Sequence, residues 1–318
     1  NSSALYAYFP PQSEFLRWQK SSAILEQFGP QRFPLAGRGQ DKVDIRIHKI
    51  DAQDRSFWPF PSNPVTIDES IQPPIPGEIP EPYDRSDRQI NSSELEQHIH
   101  ALGSPSLSKL VSLPLNKNGK AYQFGLDLKP LLSSISDDNA PGTYLVGLRE
   151  LDASSKRHWV RIQVTDLSLS TIEADSQVNF VVTSLKTGKP VSHAKISVEG
   201  ASNSRDTGWH WTTLKSGYTN EQGQLSWQAP GKPNNSSQFM RRITVTAGND
   251  RLTLDPAKPP KKYSDNHWQS SYQTWLQWTQ ETLSYRTEQK QTRCHIFTER
   301  PIYQPEHEVH IKGYLRQI

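Results

Sequence analysis

Much of this chain alternates apolar and polar residues with a period of two. The runs are VDIRIHKI (43–50), YQFGLDL (122–128), TYLVGLREL (143–151), HWVRIQVTDL (158–167), QVNFVVTSL (177–185), AKISVEG (194–200), GQLSWQA (223–229) and RITVTAG (242–248). Such alternation puts one face of a strand toward a core and the other outward. Turn residues punctuate the runs: Pro141-Gly142, Thr187-Gly188-Lys189-Pro190, and Asn220-Glu221-Gln222-Gly223. The latter two read as hairpin turns, with Gly223 free to take positive φ. Strands spaced about eight to twelve residues apart, with no helices between them, stack as antiparallel sandwiches. The fold class is therefore all-β, in tandem modules.

Other stretches break the pattern. SEFLRWQKSSAILEQF (13–28) places Phe15, Trp18, Ser22, Leu25 and Phe28 near one helical face, with Ser13 as cap and Gly29-Pro30 as stop. A short N-terminal helix is expected there. Residues 59–118 begin proline-dense and mixed in charge, and read as a long insertion between two strands, with a short helix at 92–102 capped by Ser92 or Ser93. The 24 prolines, 17 glycines and 33% hydrophobic content suit small β modules better than one large α/β enzyme.

A net charge of +3 is too small to indicate a nucleic-acid partner, and Lys258, Lys261 and Lys262 read as a solvated linker. No apolar run approaches the length of a membrane span, so no lipid insertion is expected of this segment. The single cysteine, Cys294, excludes an intrachain disulfide framework and reads as a small strand residue. His307-Glu308-Val309-His310 has the wrong gap for a helical zinc motif, and its strand pattern would send the rings to opposite faces. His98 and His100 lie in the expected helix as surface polar residues. No metal, cofactor or catalytic residue is assigned, and the chain reads as a non-enzyme. Trp209 and Trp211, with Trp275 and Trp278, are either packing groups at module joints, protein-contact anchors, or a sugar platform.

The last strand is introduced by FTERPIYQPEHEVHIKG (297–313). Pro301 and Pro305 lack amide hydrogens, so this stretch can only lead into a sheet at an edge. Tyr303 between them suits a module boundary, and Val309, Ile311, Gly313 and Leu315 form one strand face. This stretch resembles the signature of bacterial alpha-2-macroglobulins, carried here by Arg300, Pro301, Tyr303, Pro305, Val309, Lys312 and Gly313. Glu299 stands where that family has Asp, and Glu306-His307 where it has Gly-Glu. FVVTSLKTGKPVSHAKISVEG with GYTNEQGQLSWQAP is similar to the family's module core, and RIQVTDLSLS (161–170) to its module-ending strand.

The resemblance implies macroglobulin or fibronectin-III-like sandwiches. The expected plan is a helical segment over 1–32, a first sandwich over 33–166 with its insertion at about 59–118, and a second over 167–257. A connector over 258–292 follows, then the start of a third, incomplete domain over 293–318. Met240 is the only methionine, so a trimmed N-terminus is expected as well. The implied complete molecule is periplasmic and inhibits proteases by conformational entrapment, with proteases and envelope proteins as its partners. Cys294, followed by His295-Ile296-Phe297, does not carry the family's thioester motif. The alternative is an adhesin or stalk of Ig-like repeats.

Overall fold

The computed structural model describes residues 13–71, 90–115, 120–151, 154–173, 177–206, 208–228, 238–256, 292–298 and 309–317. The chain divides into two compact units, residues 1–280 and 281–318. The first unit contains two sandwiches.

In the first sandwich, β1 (Phe15–Trp18), β3 (Arg32–Arg38) and β7 (Tyr122–Asp127) form one antiparallel sheet in that order. The second sheet runs β2 (Ser22–Glu26), β9 (Lys156–Thr165), β8 (Gly142–Glu150), β4 (Lys42–Ile50) and β6 (Leu107–Ser112). β5 (Val65–Asp68) pairs with the first half of β9, and β2 runs parallel to its second half. Leu16 and Trp18, Phe33 and Leu35, the β4 trio Val43, Ile45 and Ile47, and the β9 trio Val160, Ile162 and Val164 share one core. Burying each such large side chain contributes about 1.5–3 kcal/mol. On the outer face of the larger sheet a satellite core joins Leu145 and Trp159 to Phe57, Phe60, Val65 and Ile67. Leu95 and Ile99 of α1 (Ser92–Ala101) complete it.

Four expectations are corrected here. Residues 13–28 form no helix, and the N-terminal segment is part of the first sandwich. β1 pairs with β3 and β2 with β9, because Leu16 and Trp18 alternate inward and strand partners were available to both pieces. The 59–118 stretch is not a plain insertion, since it supplies β5, α1 and β6 to the sandwich. α1 is capped by Asn91 rather than by a serine, in a reciprocal box with Glu94: Asn91 Oδ1 accepts from the Glu94 amide at 2.9 Å, and Glu94 Oε2 from the Asn91 amide at 3.1 Å. Finally, β4 is not half-exposed: Asp44 and His48 are buried as well as the apolar trio.

In the second sandwich, β10 (Leu167–Glu173), β11 (Gln177–Ser184) and β14 (Gln224–Gln228) form one sheet. β13 (Gly208–Tyr218), β12 (Lys195–Ser204), β15 (Gln238–Ala247) and β16 (Asp250–Leu254) form the other. Val178, Phe180, Val182, Ile196, Val198, Ile243 and Val245 are buried, and Phe180 meets Trp227 edge-on at 4.9 Å. The two turns expected to close hairpins instead carry the chain from one sheet to the other, β11 to β12 and β13 to β14. Gly223 has φ +69°, and a Cβ there would lie 2.5 Å from the Val182 carbonyl, so the corner needs glycine for two reasons.

The described residues of the second unit form an antiparallel pair of strands, β17 (Thr292–Thr298) against β18 (Ile311–Gln317). Cys294 faces Leu315 across it, and Ile296, Ile311 and Leu315 are exposed.

Candidate functional site: a buried polar junction on strand β9

Strand β9 is buried on both faces. Val160, Ile162 and Val164 enter the first core, while Arg157, Trp159, Arg161, Gln163 and Thr165 lie on the opposite face. Trp159 belongs to the satellite core. Arg157, fully buried, is enclosed by hydrogen bonds. Its Nη2 donates to Asp44 Oδ2 at 2.7 Å, Nε to Glu69 Oε1 at 2.6 Å, and Nη1 to the Asp44 carbonyl at 2.9 Å. Arg149 adds a second bond to Asp44 at 3.0 Å. Burial pushes the Asp44 carboxyl up, but hydrogen bonds and charge from Arg157, together with Arg149 and Arg46, hold it below its usual value.

The remaining three residues meet the second sandwich. Gln163 clasps Thr253: Nε2 donates to the Thr253 carbonyl at 2.8 Å, and Oε1 accepts from the Thr253 amide at 2.8 Å and hydroxyl at 2.6 Å. Thr165 donates its hydroxyl to Asp250 Oδ1 at 2.6 Å, and the Asp166 amide donates to Oδ2 at 2.8 Å. Burial raises the Asp250 pKa despite these bonds. Arg161 Nη2 donates to the Ala52 carbonyl at 3.2 Å and to Thr253 Oγ1 at 3.0 Å, while its buried Nε has no partner. Burial and the nearby charge of Arg242 bring the Arg161 pKa down to about 9, with Asp54 acting the other way, so it stays charged at neutral pH.

From the other side, Arg242 forks onto Glu199 at 2.8 and 3.3 Å and donates Nη1 to the Gln53 carbonyl at 2.7 Å. A bulge in β12 at Glu199 shifts its register against both neighbours. Trp58 donates its indole N–H to the Arg241 carbonyl at 3.0 Å. At the rim, Arg251 pairs with Asp51 at 3.0 Å. An open cleft of about 680 Å³ lies beside this rim, lined by Lys49, Asp51, Asp137, Thr143 and Arg251 among others. Chemically, the junction is a directional lock: its bonds specify one orientation, which apolar contact alone does not.

Of the tryptophans singled out in the sequence, Trp209 and Trp211 lie half-buried on edge strand β13. Trp211 is a joint residue, with the Arg55 guanidinium 4.5 Å from its ring. Trp275 and Trp278 lie outside the described residues, as do Arg300, Pro301, Tyr303 and Pro305. Val309, Lys312 and Gly313 lie in the second unit. Val309 is exposed, Lys312 sits 5.4 Å from the Tyr314 ring, and a Cβ on Gly313 would make ordinary contact at 3.6 Å. His98 is buried rather than a surface residue, its Nδ1 donating to the Ser56 carbonyl at 2.7 Å. Cys294 is exposed. Among the described residues no group of three or more His, Cys, Asp or Glu could hold a metal ion. None of Trp58, Arg161, Gln163, Glu199, Arg242 or Asp250 stood out in the sequence. The available signal was long polar side chains at alternate positions of an otherwise apolar strand, as in RIQVT.

Solved structures of bacterial alpha-2-macroglobulins match most of the chain. One is the native Escherichia coli protein spanning domains MG0-NIE-MG1, at 13% identity and a TM-score of 0.48, covering 76% of this chain and 64% of that one. A trypsin-activated E. coli alpha-2-macroglobulin matches at 13% identity and a TM-score of 0.48, covering 95% of this chain and 17% of that one. A mutant Salmonella alpha-2-macroglobulin matches at 13% identity and a TM-score of 0.45, covering 96% and 15%. The chain thus spans under two thirds of the first of these and about a sixth of the longer two. No protein-family model and no curated protein matches it.

Proposed function

We propose that this chain is a scaffold portion of a bacterial alpha-2-macroglobulin-like protein, a non-enzyme whose complete molecule lies in the periplasm and inhibits proteases by entrapment. The signature resemblance of residues 297–313 supports the family reading. The observation that carries the scaffold role is β9, one strand buried between two sandwiches and bonded to both. An entrapment device needs modules that keep their shape while their neighbours move, and a directional, water-excluding joint supplies that. Envelope proteins are further partners of the complete molecule.

The test is a size-selective protection assay. The complete protein is mixed with trypsin, and hydrolysis of a large protein substrate is compared with that of a short chromogenic peptide. Entrapment predicts strong loss of the first with the second retained. Equal hydrolysis of the large substrate with and without the protein contradicts the reading.

A further inference from the structure

At the junction, five side chains form a row that alternates guanidinium and indole. Arg55 stands 4.5 Å from the Trp211 ring and Arg242 5.4 Å from the same ring. Arg242 is also 6.0 Å from the Trp58 ring, and Arg161 is 5.1 Å from it. Arg55, Trp58 and Arg161 belong to the first sandwich, Trp211 and Arg242 to the second. Cation–π attraction strengthens where water is excluded, and Trp58 and Arg161 are both buried. Yet three cations share this row, and Arg161 and Arg242 act on each other as like charges.

Glu199 answers that repulsion. It is buried, holds Arg242 through both carboxylate oxygens, and accepts the Thr244 hydroxyl at 2.9 Å. The β12 bulge places it there. Arg242 in turn reaches the Gln53 carbonyl of the first sandwich, so the ion pair within one sandwich is continuous with the contact between the two.

We propose that this row is a latch making the two sandwiches a single cooperative body, and that the charge of Glu199 keeps it closed. Without that charge, three guanidiniums remain around two indoles with Glu199 no longer neutralising Arg242, and separation of the sandwiches hydrates them. The latch is a property of these residues whatever the complete molecule does to proteases.

The test is hydrogen exchange read peptide by peptide on the full chain, comparing wild type, Glu199→Gln and Arg55→Ala. Glu199→Gln keeps the side-chain shape, removes the charge, and replaces one of the two accepting oxygens with an amide donor that Arg242 cannot use. The expected result is faster exchange, by about tenfold or more, confined to 51–58, 208–212 and 238–254, with 42–50 and 143–148 unchanged. Arg55→Ala, at a half-buried residue, should give a smaller change confined to 208–212. Unchanged exchange in Glu199→Gln overturns the proposal. So does acceleration spread evenly over both sandwiches, which marks general loss of stability rather than an opened latch.

Discussion

Strand β9 has two buried faces of opposite chemistry. Val160, Ile162 and Val164 enter a core where neighbours are held by exclusion of water, a force without direction. Arg157, Arg161, Gln163 and Thr165, on the other face, are held by hydrogen bonds with defined angles. The first face makes a sandwich stable. On the second, Arg161, Gln163 and Thr165 decide how that sandwich meets the other, while Arg157 braces its own. Apolar burial tolerates small slides between surfaces, whereas the Gln163–Thr253 clasp does not, because a displaced partner leaves buried polar atoms unpaired.

The largest expected effect separates the two faces at their shared strand. Arg157→Ala should destabilise the chain by about 3–5 kcal/mol, since Asp44 and Glu69 lose the cation between them. Replacement by Met should be milder than by Ala because it keeps the volume, and urea midpoints of the two variants check this ordering. Ile162→Ala, on the apolar face, should lower stability by about 3 kcal/mol through transfer and cavity terms. Unlike the polar variant, it should leave its loss independent of salt. Gly223→Ala should cost about 2 kcal/mol, because the corner needs positive φ and the Cβ meets the Val182 carbonyl. Thermal unfolding reads this directly.

The smallest expected effect is a difference in pH dependence. The folded Asp44 pKa is lowered, so the stability it contributes is full above its unfolded value of 3.8 and is lost as pH falls through the folded value. Asp250 is raised, so its ionised form weakens the folded state above its folded pKa, and that weakening is relieved on acidification through it. Wild type should therefore gain stability relative to Asp250→Asn as pH falls through that raised pKa, and lose stability relative to Asp44→Asn below about 4. Parallel slopes for all three proteins would remove the contrast between the two clusters.

The sequence made some of this legible for a physical reason. Period-two alternation marks a strand with a core on one side, and β8, β11, β12 and β15 appear where that pattern runs. The same rule misread the polar positions of β9 as solvent-facing, because alternation does not distinguish water from a second protein surface. Arg161 and Gln163 look like exposed residues until Thr253, about ninety positions later, is placed against them. Residues 13–28 fit a helical face and a strand equally well, and the choice fell to partners far along the chain, Leu35 and Val164 among them. The proline-dense region hid β5 because its four residues are too few to show a period, and pairing with Lys156–Trp159 alone defines it. The tryptophan signal was informative at Trp211, yet its arginine partners came from segments that carry no motif.

The polar face of β9 fixes the two sandwiches in one orientation. Spin labels at exposed Lys109→Cys and Glu221→Cys, in a Cys294→Ser background, report the distance between the sandwiches by pulsed electron resonance. A single narrow distribution is expected, and it should broaden when Gln163→Ala is added. A broad distribution in the protein with its junction intact would contradict it.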